Sequence, residues 1–269
     1  MSIENQLRYF IVDAFADRPF TGNPAAVVPL TKWRDDDWLQ NVAMEMNLSE
    51  TAFFVPIENG FQLRWMTPKV EVDLCGHATL ATAKVIGQLG LVKEGEAIRF
   101  ESRSGTLTAR LVADQIELDF PLKPEEATTA PGGLLEALGA NTKYIGKNAF
   151  DYLVEVESES VVRKLTPDFN RLASVGCRGV IVTARSDDPR FDFVSRFFAP
   201  GAGIDEDPVT GSAHCCLAGF WSKRLSKTKF VAYQASARGG VINVELLGDR
   251  VLLGGQAVIV AHGELCLEG

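Results

Sequence analysis

The stretch that decides the fold is a short run of small residues that occurs twice, as Cys75-Gly76-His77-Ala78 and again as Thr210-Gly211-Ser212-Ala213. The two copies lie 135 residues apart, which is half of the 269-residue chain. The residues after each copy are mostly apolar, and after the first copy no charge occurs before Lys84. A helix that is apolar on all sides is buried, so the pattern predicts two central helices, over 76–89 and 211–225.

Two more matches occur in the same order along the chain. Arg64-Trp65-Met66-Thr67-Pro68 recurs as Arg196-Phe197-Phe198-Ala199-Pro200, and Asp13-Ala14-Phe15 recurs as Asn148-Ala149-Phe150. Their offsets are 132 and 135 residues, close to the offset of the first motif. Repeats at a fixed spacing indicate repeated structural units, so we expect a duplicated domain.

The remaining elements predict two lobes of mixed α and β structure. Alternating and β-branched residues predict strands, and the Asn59-Gly60 pair predicts a hairpin turn. We predict strands over 7–14, 51–56 and 61–66, a helix over 35–47, and a short helix over 134–138 within a connector over 121–142. The expected division is an N-terminal lobe over 1–125 and a C-terminal lobe over 126–269, with the last strand free to pack back on the first lobe.

Composition excludes several classes of function. The formal net charge is −8, and no run of Lys and Arg reaches four residues, so a nucleic-acid partner is not expected. The uncharged stretch 251–261 has eleven residues, and no uncharged stretch of the sequence reaches the about 20 apolar residues that a membrane helix needs. The first eight residues show neither the basic start nor the apolar run of a signal peptide, which favours the cytoplasm and no membrane partner.

Cysteine and histidine spacing gives no sign of a disulfide framework or a metal centre. The five cysteines contain no CxxC pair, and the three histidines contain no HxxxH pair. We therefore expect reduced thiols and no metal. The sequence also lacks GxGxxG, GxxxxGK[ST] and GxSxG, so nothing supports dinucleotide binding, P-loop phosphate binding or a nucleophile-elbow hydrolase.

The two predicted helix N-termini are candidates for binding an anion. A helix N-terminus offers unpaired N–H donors and about half a positive charge. If the duplication brings Gly76 and Gly211 to face each other across a cleft between the lobes, the two ends can hold one small carboxylate. The alternative is that the small residues only allow tight packing of two buried helices.

Two carboxylates lie next to these predicted elements. Asp207 precedes Pro208, which holds it extended and directs it towards the expected cleft, although it and its acidic neighbours can also serve as capping charges. Glu50 lies at a junction between helix and strand beside Ala52 and Phe53. Partial burial there predicts a raised pKa and proton transfer near neutral pH; the alternative is an ordinary solvated Glu.

Five ordered motifs cover nearly the whole chain. They are Asp13-Ala14-Phe15 with Pro19-Phe20-Thr21-Gly22-Asn23-Pro24-Ala25, Ser49-Glu50-Thr51-Ala52-Phe53, Trp65-Met66-Thr67-Pro68, Cys75-Gly76-His77-Ala78-Thr79, and Glu206-Asp207-Pro208-Val209-Thr210-Gly211-Ser212-Ala213. With these motifs the chain resembles the phenazine-biosynthesis PhzF-like isomerases of the diaminopimelate-epimerase superfamily. The resemblance implies an α+β fold of two pseudo-symmetric lobes, each a barrel-like sheet around a central helix, an active site between the lobes, no cofactor, and a homodimer.

The resemblance also implies roles for individual residues. Glu50 looks like the acid/base that removes and returns a substrate proton, with His77 and Asp207 as its catalytic partners. Ser212 binds and polarises the substrate, and the helix ends supply backbone N–H groups. The implied substrate-binding residues are Gly22, Asn23, Gly76, Ala78, Thr79, Thr210, Gly211, Ser212 and Ala213.

The residue that the repeat aligns with Cys75 bears on which of two mechanisms of the superfamily this chain uses. The epimerase branch of the superfamily uses one thiol from each half, but here the repeat aligns Cys75 with Thr210. This favours a cofactor-independent isomerase that moves a proton on a small carboxylate through Glu50. The alternatives are an amino-acid epimerase or racemase, a lyase using the same site, and a non-catalytic binding protein. Cys75 then becomes a packing residue whose thiol the helix dipole would activate somewhat.

Overall fold

In the computed structural model, residues 7–266 are described, and they divide into two compact units. Unit 1 runs up to Asp119 and resumes at Gly254, and unit 2 comprises Phe120–Leu253. The expected division was at residue 125. The contacts place it between Asp119 and Phe120, and they assign the last strand to unit 1. Among residues 7–266, no helix is both long enough and apolar enough to cross a membrane.

Among the described residues, unit 1 contains eight complete strands and two helices, with a ninth strand that runs on to Pro121. The elements are β1 (Leu7–Ala14), β2 (Asn23–Pro29), α1 (Asp36–Met46), β3 (Glu50–Ile57), β4 (Gly60–Met66), β5 (Glu71–Val72), α2 (Gly76–Gln88), β6 (Ala97–Ser102), β7 (Gly105–Val112), β8 (Gln115–Pro121) and the final strand Ala257–Leu265, which we call β18 after its place in the chain. The strands pair in the order β18-β1-β2-β3-β4-β6-β7-β8, with β5 paired to β4. The β2–β3 and β4–β6 pairs are parallel, and the others are antiparallel.

Helix α2 lies at the centre of unit 1. Nine of its residues are buried, including every residue from His77 to Ala83. It packs against β1, β2, β3, β7 and β18, so the sheet curves around it. The helix begins at Gly76, as the small-residue motif predicted.

The short helix α1 shows how the sequence sets helix ends. The Asp35 side chain caps the first turn by accepting a hydrogen bond from the Trp38 backbone N–H at 2.7 Å. Asn47 ends the helix in the left-handed conformation with φ of 50°, which Asn tolerates better than most residues. Helix and caps together span the predicted residues 35–47.

Unit 2 repeats this arrangement of elements. They are β9 (Glu126–Ala127), α3 (Leu134–Leu138), β10 (Thr142–Lys147), β11 (Asp151–Val156), α4 (Glu159–Lys164), α5 (Phe169–Ala173), β12 (Gly179–Arg185), β13 (Phe193–Ala199), β14 (Ile204–Asp207), α6 (Gly211–Leu225), β15 (Lys229–Gln234), β16 (Gly240–Leu247) and β17 (Arg250–Gly255), whose last two residues fall in unit 1. The pairing order is β9-β10-β11-β12-β13-β15-β16, with β14 on β13. The β11–β12 and β13–β15 pairs are parallel, at the same places in the order as the parallel pairs of unit 1.

Helix α6 takes the place of α2 in unit 2. Ten of its residues are buried, and it begins at Gly211 as expected. Trp221 stacks on Phe193 of β13 and donates a hydrogen bond to the Thr183 hydroxyl of β12 at 3.1 Å. The fold therefore has the predicted form, an α+β chain of two similar units with strands around a central helix.

Candidate active site

The predicted site residues of unit 1 meet at the N-terminus of α2. Glu50 is the first residue of β3, Asn23 is the first residue of β2, and His77 is the second residue of α2. Because β2 and β3 are parallel neighbours, their first residues lie at the same edge of the sheet. The segment that connects β1 to β2 has a left-handed backbone at Gly22, where φ is 66°. Only glycine fits there, because a Cβ would lie 2.1 Å from the Ala14 carbonyl oxygen.

The centre of this site is a buried ion pair. His77 Nε2 lies 3.1 Å from Glu50 Oε2, and the two side chains are 7% and 13% exposed. On the other side of the ring, Nδ1 lies 3.1 Å from the Asn23 side-chain nitrogen. Rotating the Asn23 carboxamide by 180° presents its oxygen instead, so Asn23 can hold the ring in either protonation state.

The pKa values of this pair move apart. Burial acts to raise the pKa of Glu50, but the charge and hydrogen bond of His77, with smaller help from Ser49 and Cys75, outweigh it and lower the pKa. For His77, burial acts to lower the pKa, and the neighbouring Cys75 and Glu50 raise it well above 6.5. At neutral pH the site therefore holds a carboxylate next to an imidazolium. The prediction of a raised pKa for Glu50 was wrong.

The thiol of Cys75 belongs to the same cluster. Its sulfur lies 3.5 Å from Nδ1 and 3.9 Å from Nε2 of His77. Burial, and next the Glu50 charge, raise the pKa of Cys75 to about 11. The expectation that the helix dipole activates this thiol was wrong, because desolvation of the thiolate outweighs the dipole. Glu50, Cys75 and His77 each offer one ligand atom, and these atoms lie within 4.8 Å of one another.

The other predicted residues of unit 1 serve the helix end itself. Gly76 is the first residue of α2, and Ala78 is fully buried. Thr79 is also fully buried, and its hydroxyl donates a hydrogen bond to the Cys75 carbonyl at 2.6 Å. Thr79 thereby fastens the segment that carries Cys75.

In unit 2, the predicted residues Asp207 and Thr210 form a tight turn before α6. The Thr210 hydroxyl donates to Asp207 Oδ2 at 2.5 Å. The buried Gln234, which was not predicted, accepts from the Thr210 backbone N–H at 2.8 Å and donates to the Asp207 carbonyl at 2.7 Å. No local sequence signal identifies Gln234, because its partners precede it by 24 and 27 residues.

The predicted residue Ser212 lies beside a charge pair that was also not predicted. Arg178 binds the buried Asp151 carboxylate through Nε at 2.8 Å and through Nη2, and the same Nη2 donates to the Ser212 hydroxyl at 3.1 Å. The remaining predicted residues, Gly211 and Ala213, are buried in the first turn of α6. Arg178 directly precedes strand β12 and lies 27 residues after Asp151, so no local sequence signal identifies this pair either.

Comparison with known proteins shows similarity along nearly the full chain. A family model described as phenazine biosynthesis-like protein (PhzC-PhzF) matches residues 12–263. The chain is 50% identical to an uncharacterized isomerase of Halalkalibacterium halodurans, over 96% of this chain and 98% of that protein. It is 52% identical to an uncharacterized isomerase of Pseudomonas aeruginosa, over 97% of this chain and all of that protein.

Solved structures give the same result. The crystal structure of a PhzF-family phenazine biosynthesis protein of Enterococcus faecalis matches with a TM-score of 0.94 and 44% identity, over 97% of this chain and all of that one. A hydroxyproline epimerase of Agrobacterium vitis, solved with trans-4-hydroxy-L-proline bound, matches with a TM-score of 0.60 and 11% identity, over 98% of this chain and 94% of that one. At that identity the likeness extends to the fold alone.

Proposed function

The chain belongs to the phenazine biosynthesis-like family and is an isomerase, and we propose that it moves a proton on a small carboxylate-bearing substrate with Glu50 as the acid/base. The observation that carries this proposal is the buried pair of Glu50 and His77 at 3.1 Å. It places a proton acceptor and a cation side by side in a largely buried site. Such a pair is suited to general acid–base catalysis, which contributes about 10²- to 10⁴-fold to a rate.

In this mechanism the Glu50 carboxylate accepts a proton from a substrate carbon whose negative charge the substrate's carbonyl or conjugated system delocalises. The His77 imidazolium, fixed by Asn23, stabilises the negative charge as it moves from Glu50 to the substrate. Protonated Glu50 then returns the proton to a different carbon. The enzyme ends in its starting protonation state, so no cofactor is required.

Racemisation by two thiols is less well supported by this site. The pKa of about 11 keeps Cys75 protonated, and its counterpart in the repeat is Thr210. The roles of Asp207 and Ser212 in substrate binding, and the homodimer, are further parts of the proposal. Light scattering during gel filtration measures the mass of the assembly directly, and a mass of one chain would contradict the homodimer.

Solvent deuterium exchange tests the role of Glu50. A panel of small carboxylates, cyclic acids and amino acids is first screened for ligands that raise the melting temperature of the wild-type protein. Each hit is then incubated with enzyme in D₂O, and deuterium in the compound is measured by mass spectrometry. We expect Glu50→Gln to lower the exchange rate at least 10²-fold while the ligand still stabilises the variant.

The matched control is Glu58→Gln, at an exposed position in the turn after β3, which should exchange at the wild-type rate. Exchange at an undiminished rate in Glu50→Gln would show that another group removes the proton. Exchange that is lost equally in the Glu58 variant would point to a general loss of folded protein.

A further inference from the structure

We propose that Glu50, Cys75 and His77 form a binding site for one Zn²⁺ ion, and that Zn²⁺ inhibits the enzyme by occupying this site. The three residues supply a carboxylate oxygen, a thiol sulfur and an imidazole nitrogen, all of which are common zinc ligands. Binding does not depend on the proposed function. Only the inhibition rests on it, because the ion would occupy the groups that exchange the proton.

The distances suit a tetrahedral ion. Bond lengths of about 2.3 Å to sulfur and about 2.0–2.2 Å to nitrogen and oxygen place sulfur and nitrogen about 3.6 Å apart, and nitrogen and oxygen about 3.4 Å apart. The structure has 3.9 Å between Cys75 Sγ and His77 Nε2, and 3.1 Å between Nε2 and Glu50 Oε2. The sulfur also lies 3.5 Å from Nδ1, so metal binding requires the Cys75 side chain to rotate and bring the sulfur to the Glu50 side of the ring. The fourth ligand position remains for water or substrate.

The charges also balance. Zn²⁺ binds a carboxylate, a thiolate and a neutral imidazole, whose charges sum to −2. Any proton that His77 Nε2 or Cys75 Sγ carries before binding leaves to solvent. The ion and its three ligands therefore carry no net charge in this largely buried site.

The surroundings support the imidazole as a ligand. Metal-bound histidines keep their orientation through a hydrogen bond at the second ring nitrogen. Asn23 lies 3.1 Å from His77 Nδ1, and its carboxamide oxygen can accept the proton that Nδ1 carries when Nε2 binds the metal. The Thr79 hydroxyl, bound to the Cys75 carbonyl, holds the backbone that carries the thiol.

Titration of chelator-treated protein tests the binding. We expect isothermal calorimetry with ZnCl₂ to give one strong site per chain, and CoCl₂ to give the near-ultraviolet absorption of a cobalt–thiolate bond. Cys75→Ala and His77→Ala should each weaken binding at least about 100-fold, and Cys75→Ala should remove the absorption band. Since buried positions are changed, circular dichroism must first show that each variant is folded.

The control is Cys266→Ser, which removes the exposed cysteine near the end of the described chain. It should bind Zn²⁺ like wild type, and Zn²⁺ should stop deuterium exchange in both proteins until a chelator restores it. Full binding by folded Cys75→Ala, or loss of binding in Cys266→Ser, would overturn the site. Binding at Cys75 without inhibition would overturn the inhibitory role and leave the site standing. If no substrate exchanges at all, the proposed function fails while the titrations still decide the site.

Discussion

The two units carry different chemistry at equivalent places. We call each place a corner of the fold: the N-terminus of the central helix together with the starts of the two strands beside it. In unit 1, residues at the starts of β2 and β3 and in the first turn of α2 form the group Asn23, Glu50 and His77. In unit 2, the starts of β11 and β12 and the first turn of α6 carry Asp151, Arg178 and Ser212. Both corners contain a carboxylate and a cation at the N-terminus of a buried helix.

The two corners differ in the kind of cation that they contain, which is His77 in unit 1 and Arg178 in unit 2. An imidazole gains and loses a proton in the physiological range, whereas a guanidinium stays charged at any pH that a protein meets. The unit 1 corner can therefore take part in proton transfer. In the unit 2 corner, Arg178 can fix the Ser212 hydroxyl and present positive charge, but a guanidinium does not serve as a proton donor or acceptor. In the proposed function, one copy of the repeat therefore carries out catalysis and the other binds substrate.

A second pair of equivalent contacts is nearly unchanged between the units. Arg64 binds Glu71 with two hydrogen bonds of 2.8 and 2.7 Å, and Arg196 binds Glu206 with two of 2.7 and 2.8 Å. Each bidentate pair joins the strand before the central helix to its neighbour, β4 to β5 and β13 to β14. Each therefore fastens the segment that leads into a helix N-terminus.

The largest expected effect comes from removing the cation of unit 1. His77→Asn takes away the charge that stabilises ionised Glu50 and the anionic intermediate, so we expect kcat/KM to fall about 10²- to 10³-fold. Kinetics with any substrate found by the deuterium assay measure this. The control is His262→Asn, at an exposed position of unit 1, which should change kcat/KM less than twofold.

The pH profile shows whether the lost activity comes from this pair. In wild type, the lowered pKa of Glu50 puts the acid limb of kcat/KM below pH 4.5, and the raised pKa of His77 puts the basic limb well above pH 6.5. In His77→Asn, burial of Glu50 is no longer outweighed, so its pKa rises and the acid limb moves to higher pH. An acid limb that stays in place would contradict the coupling between Glu50 and His77.

The second prediction tests the contact that the units share. Arg196→Met leaves the Glu206 carboxylate with little exposure and without its cation, and removes hydrogen bonds to the Val162 and Leu165 carbonyls. Removing one partner of a buried pair costs about 3 kcal/mol of unfolding free energy. Urea denaturation measures it, and Arg190→Met, whose side chain is 77% exposed, should leave the midpoint unchanged. Equal midpoints for the two variants would show that the bidentate pair does not stabilise unit 2.

Much of this structure follows from local sequence, and the exceptions share one cause. The starts of α2 and α6 at Gly76 and Gly211 were predicted because small residues and an uncharged run are local signals. The pKa of Glu50 was predicted in the wrong direction because its apolar neighbours reveal burial, while the decisive His77 lies 27 residues further along. Partners that meet only through strand pairing, such as Arg178 and Asp151, leave no local pattern.

The third prediction tests the division of roles. Arg178→Lys keeps the charge but loses the planar fork that binds the Asp151 carboxylate at two oxygens and reaches Ser212. If unit 2 only binds substrate, KM should rise about tenfold while kcat changes less than threefold. Steady-state kinetics at several substrate concentrations separate the two constants. A fall in kcat with an unchanged KM would place Arg178 in the chemical step and break the comparison.

The smallest expected effect is at Cys75. Its thiol is buried and protonated, and the corresponding position of unit 2 is Thr210, so the proposed proton shift needs no sulfur. Cys75→Ser removes little volume, and we expect deuterium exchange to stay within about tenfold of wild type. The decisive comparison is with Glu50→Gln in the same assay. If Cys75→Ser abolished exchange and Glu50→Gln did not, the sulfur would be the base, and the reaction would become a one-thiol version of epimerisation. The carboxylate would then hold His77 in place, and both corners of the fold would use their ion pairs only for positioning.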